Sequence, residues 1–275
     1  MTRNAERLIV NDLWVDLDGA DGPVSPVRGA SLEVARGERV ALVGETGSGK
    51  TMLLRSIVRL IPPGLLAGLR GSITIGGTDL IQSESAAHQA RGNTVGFVFQ
   101  DPMTYLNPTM TIRKQIVEAL RHRSQEEHEA LLYDLLRSVR LPDTAEFTRR
   151  YPHELSGGQR QRVIMAIALA GEPAFLLADE PTTALDVIVQ AGLLRTLNRV
   201  VTERDMGLLL VTHDLAVVAE VCDRVYVMRN GEIVESGPVE TVLVHPSHEY
   251  TKTLLAGVLT IDTEPPRPTM EGSFS

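Results

Sequence analysis

The sequence is poor in cysteine, lysine and aromatic residues. Its one cysteine, Cys222, excludes an intrachain disulfide and any zinc or iron–sulfur site that is built on several cysteines. Only three residues are lysine, Lys50, Lys114 and Lys252, so a motif that requires lysine is seldom met here by chance. This cysteine usage is typical of a reducing compartment, and 275 residues can bury a core without such links.

Long apolar runs and an excess of positive charge are also absent. No stretch approaches the roughly 18 apolar residues of a membrane-spanning helix. The first residues turn polar at Asn11 and Asp12, so we expect neither a membrane span nor a signal peptide. The net charge is −8, from 27 basic and 35 acidic residues. Because nucleic-acid affinity comes mainly from neutralised phosphates, this balance disfavours a nucleic-acid binder.

The spacing of apolar residues predicts an α/β fold with an inserted helical region. Strands or hairpins are predicted over residues 8–17, 34–38, 39–43, 72–80, 94–99, 175–178, 208–211 and 225–234. Helices are predicted over residues 52–61 and 156–170. The region 101–150 has helical spacing on both sides of a charged connector at residues 121–129. The continuous apolar runs at 175–178 and 208–211 are typical of parallel strands covered on both faces.

A glycine-rich loop joins the predicted strand at residues 39–43 to the predicted helix that follows. The segment Gly44-Glu45-Thr46-Gly47-Ser48-Gly49-Lys50-Thr51 fits G-x-x-x-x-G-K-[ST] in this strand–loop–helix setting. Its N–H groups and that of Met52 are expected to cradle phosphates at the helix N-terminus. Lys50 is predicted to reach the outer phosphates and the Thr51 hydroxyl to bind Mg²⁺. A chance glycine turn is disfavoured because lysine is scarce.

Two adjacent carboxylates end another predicted strand. Asp179 and Glu180 follow the apolar run at residues 175–178. A carboxylate at such a strand end can hold the Mg²⁺ that bridges nucleotide phosphates, and we assign this role to Asp179. Glu180 is predicted to orient and deprotonate the attacking water. A lone Asp-Glu pair is often only solvated. The glycine-rich loop at residues 44–51, which we call the phosphate loop, lies upstream and favours the functional interpretation.

The segment Leu155-Ser156-Gly157-Gly158-Gln159 lies between these two motifs and opens a predicted helix. Ser156 suits the N-cap, and N–H groups at a helix N-terminus present positive charge to an anion. With this segment the sequence resembles the ATP-binding-cassette (ABC) ATPases, whose hallmark is LSGGQ. The resemblance implies ATP and Mg²⁺ as cofactors. It also implies that Ser156, Gly157, Gly158 and Gln159 bind the γ-phosphate of ATP held by a second cassette.

Three more segments match this family residue by residue, and the resemblance covers about residues 8–258. Gln100 is similar to the Q-loop glutamine, which contacts Mg²⁺ and senses the membrane partner. Ala184-Leu185-Asp186 is similar to the D-loop, which lies against the other cassette. His213 is similar to the switch histidine, which contacts the γ-phosphate and supports Glu180.

The sequence departs from the family pattern near the end of the first predicted strand. The family usually stacks an aromatic residue on the adenine there, and this position falls to Leu17. Because strand side chains alternate, Trp14 is predicted to point to the other face of the strand. We interpret Trp14 as a packing residue.

A longer segment around Gln100 indicates a branch of the family. Residues 99–108 read FQDPMTYLNP and resemble the FQDPMTSLNP segment of bacterial peptide/nickel importers, with Tyr105 in place of the serine. The ending at residues 245–255 is similar to the "HPYT…LL" ending of that branch, and His245 and His248 within it are interpreted as structural. Members of the peptide subgroup often carry a cysteine-rich segment after this ending, and no cysteine follows Cys222 here. Di- and oligopeptides, nickel–metallophores and other small solutes therefore stay open as cargo.

The resemblance predicts one ABC cassette over residues 1–260, a P-loop NTPase with a RecA-like core, an antiparallel β subdomain and an inserted helical subdomain at about 101–165. Residues 261–275 are expected to form a flexible tail. The implied function is that of the ATP-hydrolysing subunit of a bacterial importer. The implied partners are two integral membrane permease subunits, a second and non-identical cassette, and an extracytoplasmic solute-binding protein. The expected location is the cytoplasmic face of the inner membrane.

Other functions of a P-loop protein remain open at this point. A soluble ABC ATPase that acts on DNA or ribosomes is the main alternative. Chromosome and repair types insert a long coiled coil between phosphate loop and signature, and the 105 residues from Thr51 to Ser156 leave no room for one. A P-loop kinase would lack the signature and the switch histidine. An exporter cassette is disfavoured by residues 100–108.

Overall fold

The computed structural model describes residues 6–19, 22–62, 64–182 and 185–261. The strands are β1 (Arg7–Gly19), β2 (Gly22–Ala35), β3 (Arg39–Val43), β4 (Leu66–Ile75), β5 (Thr78–Asp79), β6 (Val95–Val98), β7 (Phe175–Asp179), β8 (Gly207–Val211), β9 (Arg224–Arg229) and β10 (Glu232–Pro238). The helices are α1 (Lys50–Ile57), α2 (Glu84–Ala90), α3 (Pro102–Tyr105), α4 (Ile112–Ala119), α5 (His128–Ser138), α6 (Ala145–Arg149), α7 (Gly157–Leu169), α8 (Val187–Glu203), α9 (Leu215–Val221), α10 (Val239–Val244) and α11 (Glu249–Ile261).

The described strands form two sheets. The larger sheet has the order β10-β9-β3-β8-β7-β6, in which only β10 runs antiparallel to its neighbour. The smaller sheet, β2-β1-β4-β5, is antiparallel. The predicted strands are therefore confirmed, as are the hairpin predicted within residues 225–234, which turns at Asn230-Gly231, and the α/β fold class. Because β3, β8, β7 and β6 are parallel, the loops that leave them all lie at the carboxyl ends of these strands, at one edge of the large sheet.

Two apolar clusters cover the two faces of the large sheet. In β3, Val40 and Leu42 join the cluster that contains α1 and the small sheet. Ala41 and Val43 join the cluster that contains the helices on the other side. Strands β7 and β8 alternate between the clusters in the same way. This is the packing that their continuous apolar runs predict.

Helix α1 is shorter than predicted. The expectation of a helix as far as residue 61 is wrong, because α1 ends at Ile57. Arg59 has a left-handed backbone (φ 51°), and the N–H of Leu60 donates to the carbonyl of Arg55 at 2.8 Å. This closing turn satisfies carbonyls at the helix end. The apolar spacing beyond it, including Ile61, comes from burial of the following turn.

Helices α3 to α7 lie between β6 and β7 in the chain, where the helical region is predicted. Buried side chains follow the predicted spacing, with Ile112, Ile116 and Leu120 at α4 and Leu132 and Leu136 on α5. All five belong to one cluster with α7 and α8. Of the tail expected at residues 261–275, Ile261 is the last residue of α11, and residues 262–275 lie outside the described residues.

The signature helix α7 packs closely against β6, the strand that leads to Gln100. A Cβ atom at Gly96 of β6 would lie 2.4 Å from the carbonyl oxygen of Ala168. Gln161 of α7 is buried and donates from its amide to the carbonyl oxygen of Phe99 at 2.8 Å. These contacts fix the start of the Gln100 loop relative to the signature segment.

The close approach at Gly96 predicts a specific loss of stability. Gly96→Ala is expected to lower the free energy of unfolding by about 1–3 kcal/mol, because β6 and α7 must separate to admit the methyl group. The matched control is Gly64→Ala, where a Cβ meets no described atom within 4 Å. The control is expected to stay within about 0.5 kcal/mol of the parent. Urea unfolding measures both, and equal stabilities of the two variants would contradict this packing.

Candidate nucleotide-binding site

The glycine-rich loop connects β3 to α1 in a conformation that requires glycine. Gly44, Gly47 and Gly49 all have positive φ, and Gly49 also lies against the backbone of β2. A Cβ atom at Gly49 would lie 2.1 Å from the carbonyl oxygen of Pro26. Glu45, Thr46 and Gly47 form the exposed outer part of the loop. The loop is therefore curved over the N-terminus of α1, as the motif predicts.

Lys50 is buried beneath this loop, with 5% of its surface exposed. Its Nζ donates to the carbonyl oxygens of Gly44 and Glu45, both at 2.8 Å, and to Ser48 Oγ at 3.3 Å. Burial lowers the pKa of Lys50, and the negative charges of Glu180 and Asp179 oppose this effect. The ammonium group is thus held inside the loop, facing two acidic residues.

Asp179 ends β7 and is 1% exposed. The Thr51 hydroxyl donates to Asp179 Oδ1 at 3.0 Å, so two of the three predicted metal ligands are adjacent. Burial raises the pKa of Asp179, while the hydrogen bond from Thr51 and the charge of Arg55 oppose this rise. A buried carboxylate beside a hydroxyl is a strong candidate for a divalent cation, since hard cations prefer oxygen ligands.

The three predicted catalytic residues meet at Glu180. Gln100 Nε2 donates to Glu180 Oε2 at 3.1 Å, and His213 Nδ1 lies 3.6 Å from the same oxygen. Glu180 has a left-handed backbone (φ 42°), which is unusual for a residue with a side chain. Its N–H donates to the carbonyl of Val211 at 3.0 Å. The turn after β7 therefore holds the Glu180 carboxylate between the ends of β6 and β8.

The signature residues form a second group at the start of α7. Ser156 Oγ accepts the N–H of Gln159 at 3.3 Å, and Gln159 Oε1 accepts the N–H of Ser156 at 3.0 Å, a capping box. A Cβ atom at Gly158 would lie 2.4 Å from Val189 on α8, and one at Gly157 would lie 3.3 Å from Leu185. The glycines thus allow the signature to pack against Leu185 of the predicted D-loop and against the first turn of α8.

Asp186 caps α8 in this second group. Its carboxylate accepts the N–H of Val189 at 3.0 Å, which accounts for an acidic residue at this position. Leu185 packs partly against the core, while Thr183 and Ala184 lie outside the described residues. Met52, predicted to contact nucleotide, packs partly against the other cluster, and its carbonyl accepts the Ser56 hydroxyl at 2.6 Å.

The first strand places Trp14 and Leu17 as the alternation predicts. Leu13 and Val15 are buried, and Trp14 lies between them on the more exposed side of β1. The indole N–H of Trp14 donates to Asp12 at 3.0 Å, and Arg70 lies 5.2 Å from its ring centroid. Leu17 packs partly against the core cluster that contains α1.

Some contacts of the site are not signalled by any nucleotide-binding motif. The phenolic oxygen of Tyr250, on α11, accepts the N–H of Glu45 in the glycine-rich loop at 3.0 Å. Arg55 of α1 donates to the hydroxyl of Tyr105 at 3.1 Å, and Tyr105 stacks on Phe99 with ring centroids 3.6 Å apart. In the sequence, Tyr250 stands out only as the tyrosine of the ending at residues 245–255, which assigns it no role at the glycine-rich loop.

Comparison with known proteins identifies the family. Residues 27–183 match the protein family described as ABC transporter. This chain belongs to the ABC transporter family. It is 44% identical over 252 residues to the probable D,D-dipeptide transport ATP-binding protein DdpD of Escherichia coli (strain K12), covering 90% of this chain and 77% of that protein. It is 44% identical over 269 residues to the oligopeptide transport ATP-binding protein OppD of Bacillus subtilis (strain 168), covering 96% and 75%.

A solved ABC structure has the same fold. The ATP-binding cassette MJ0796, in a dimeric post-hydrolysis state bound to ADP and Pi, superposes with a TM-score of 0.73 and 26% identity. The superposition covers 84% of this chain and 98% of the other. The P-loop cassette fold predicted from the motifs is thereby confirmed. Within the described ranges, no helix combines the length and apolar character needed to cross a bilayer.

The buried Asp179 carboxylate predicts a pH-dependent cost in stability. Because burial raises the pKa of Asp179 above its ordinary value, the folded chain binds this proton more tightly than the unfolded chain. Ionisation therefore destabilises the fold as the pH rises through that range. Asp179→Asn is expected to raise the thermal midpoint at pH 7 by about 2–4 °C, the shift given by about 1 kcal/mol in a large domain.

Thermal unfolding between pH 4 and pH 7 tests this expectation. The gain from Asp179→Asn is expected to shrink as the pH falls towards 4, where the unfolded carboxyl also becomes protonated. The asparagine oxygen still accepts the Thr51 hydroxyl, so the variant removes the charge and keeps the hydrogen bond. A gain that is absent, or the same at every pH, would show that the charge of Asp179 does not destabilise the fold.

Proposed function

We propose that this chain is the ATP-hydrolysing subunit of a bacterial ABC importer for peptides or related small solutes. The observation that carries the proposal is the convergence of Lys50, the Thr51–Asp179 pair and the Gln100–Glu180–His213 cluster at one edge of the large sheet. DdpD and OppD are named as dipeptide and oligopeptide transport ATP-binding proteins. They favour the importer over an ATPase that acts on DNA or ribosomes.

The residues at this edge fit a magnesium-bound nucleotide triphosphate. Lys50 is a buried cation that bonds only to uncharged oxygens of its own chain among the described hydrogen bonds. A phosphate would supply it with a full negative charge. The Thr51 hydroxyl and the Asp179 carboxylate are adjacent oxygen donors, and Gln100 completes the proposed ligand set for Mg²⁺. When bound, the metal neutralises charge on the phosphates.

Glu180 acts as the base in this proposal. Its carboxylate accepts a proton from the water that attacks the γ-phosphorus, and ADP leaves as the bond to its β-phosphate oxygen breaks. Gln100 and His213 lie at the same carboxylate oxygen, so they orient the base and the water. The strained backbone of Glu180 directs its side chain to this point. Lys50 and the loop N–H groups stabilise the phosphate charge.

Replacing the base separates binding from hydrolysis. Glu180→Gln is expected to lower the rate of phosphate release by at least about 100-fold, because the amide cannot take the proton. ATP binding is expected to remain, since Lys50 and the loop are unchanged. The control is Glu203→Gln, which removes an exposed carboxylate paired with Arg199 on α8. Phosphate release and nucleotide titration measure both, and unchanged turnover in Glu180→Gln would reject Glu180 as the base.

A second cassette completes the site in this proposal. The signature group around Ser156 presents a capped helix N-terminus beside Asp186. The next two residues, Val187 and Ile188, are 81% and 82% exposed, an unusual position for large apolar side chains. MJ0796 is described as dimeric in its solved structures. We infer that this face meets a second, non-identical cassette, so that each ATP lies between one phosphate loop and the partner's signature.

A groove beside the Gln100 loop provides the proposed permease contact. It has a volume of about 610 Å³ and lies between α2, β6, α3, α4 and α7. Tyr105 forms part of its wall and stacks on Phe99, next to Gln100. Arg91 and Arg121 add positive charge to the lining. Two integral membrane permease subunits would each insert a segment here at the cytoplasmic face, with an extracytoplasmic solute-binding protein delivering cargo.

The charge of this groove is tested by copurification. Arg121→Glu is expected to reduce the amount of permease recovered with the tagged chain severalfold, because reversing a rim charge opposes a complementary partner. Arg195→Glu, on the exposed face of α8, reverses the same charge outside the groove and is the control. Gently solubilised membranes are analysed for multi-span proteins and for a second cassette.

Two results of this experiment would count against the proposal. If Arg121→Glu retains as much permease as Arg195→Glu, the groove is not the docking site. If the parent chain copurifies with ribosomes, DNA or no membrane protein, the transport function is wrong although ATP hydrolysis remains.

A further inference from the structure

The C-terminal helix reaches the outer side of the phosphate loop through one side chain. Tyr250 is 5% exposed, and its phenolic oxygen accepts the N–H of Glu45 at 3.0 Å. The carbonyl of Glu45 accepts Lys50 Nζ at 2.8 Å from the inner side. The main chain of Glu45 is thus fixed from both sides, by a tyrosine outside and by the lysine inside.

The Tyr250 ring is held against the end of β9. The Arg229 guanidinium lies 4.8 Å from the ring centroid, within the range of a cation–π contact. In the turn after β9, the N–H of Gly231 donates to the carbonyl of Ser48 at 2.9 Å. The β9–β10 hairpin therefore supports both the loop and the tyrosine that bonds to it.

The segment before Tyr250 is tied to the same hairpin. We name residues 247–250 the C-terminal clamp. The N–H groups of Ser247 and His248 donate to the two carboxylate oxygens of Glu235 on β10, at 2.7 and 3.1 Å. The N–H of Tyr250 donates to His248 Nδ1 at 3.1 Å. Glu235 therefore sets the position of the clamp, and the clamp sets the position of the phenol.

We propose that Tyr250 is a positioning residue for ATP binding, and that the C-terminal clamp holds the phosphate loop in shape when Lys50 engages phosphate. The proposal rests on the ATPase function proposed above. Lys50 Nζ has three N–H donors, and all three are used by Gly44, Glu45 and Ser48, so a bound phosphate replaces at least one of these bonds. The bond from Tyr250 then remains on Glu45 and keeps the loop N–H groups aligned.

Removing the phenolic oxygen therefore weakens nucleotide binding more than catalysis. Tyr250→Phe keeps the ring against Arg229 and leaves the Glu45 N–H without this acceptor. One hydrogen bond is worth about 1 kcal/mol, which corresponds to about a fivefold rise in the Kd and KM for ATP. The kcat is expected to stay within about twofold, because Glu180, Gln100 and His213 are untouched.

The chain offers a matched control. The phenolic oxygen of Tyr226 also accepts a backbone N–H, from Glu33 at 3.2 Å, and Tyr226 is 5% exposed. Glu33 lies on β2 and outside the phosphate loop. Tyr226→Phe is expected to lower the thermal midpoint while the Kd for ATP stays within about twofold of the parent value. A merely structural role for Tyr250 would give this same pattern.

A second variant acts on the clamp and leaves the phenol in place. Glu235→Gln keeps one carbonyl acceptor for the two N–H groups of Ser247 and His248. It is expected to raise the Kd for ATP in the same direction as Tyr250→Phe. Because both act through one contact, the double variant is expected to bind ATP no more weakly than Tyr250→Phe alone.

The experiment uses the full chain, with Mg²⁺ and ATP, in nucleotide titrations and in phosphate-release assays over a range of ATP concentrations. The proposal is overturned if Tyr250→Phe has the same Kd for ATP as the parent chain and Tyr226→Phe. It is also overturned if Tyr250→Phe lowers kcat alone, or if the effects of Glu235→Gln and Tyr250→Phe add. A parent chain that neither binds nor hydrolyses ATP removes the proposed function itself.

Discussion

The parallel pairing of β3, β8, β7 and β6 is the constraint on which the site depends. In this register Leu42 lies opposite Val211, and Val211 lies opposite Asp179, so the strands end together. The chain leaves each strand end into a loop that carries a functional side chain. Lys50, Gln100, Glu180 and His213 are far apart in sequence and meet only because these ends are level. Without the two apolar clusters that cover the sheet, no local preference would bring them together.

The same arrangement places two buried ionisable side chains and one strained backbone close together. Asp179 is ionisable and almost fully buried, and Lys50 is buried beneath the glycine-rich loop that precedes it. Glu180 has a left-handed backbone. Each feature costs free energy in the fold. In the proposed function Lys50 supplies the cation, Asp179 a metal ligand and Glu180 the base. The site is thus stabilised by the rest of the sheet and destabilises it in return.

Much of this structure could be predicted from the sequence, because periodicity and motifs record local rules. The strands, the glycine loop and the capped signature helix follow from residue types at fixed spacing. The end of α1 could not be predicted, since apolar spacing continues past the left-handed turn at Arg59. The bond from Glu45 to Tyr250 joins residues 205 positions apart and depends on where α11 packs. No spacing rule records such a contact.

The phosphate loop is supported from three parts of the fold at once. Pro26 of β2 lies against Gly49, Gly231 in the β9–β10 turn bonds to Ser48, and Tyr250 of α11 bonds to Glu45. These supports come from the small sheet, from the β9–β10 hairpin of the large sheet and from α11. A change in the position of any of them reaches the loop by a direct contact. In the proposed function the N–H groups of this loop bind phosphate and have to stay aligned. We therefore expect ATP affinity to depend on all three supports, which lie in regions that no nucleotide-binding motif includes.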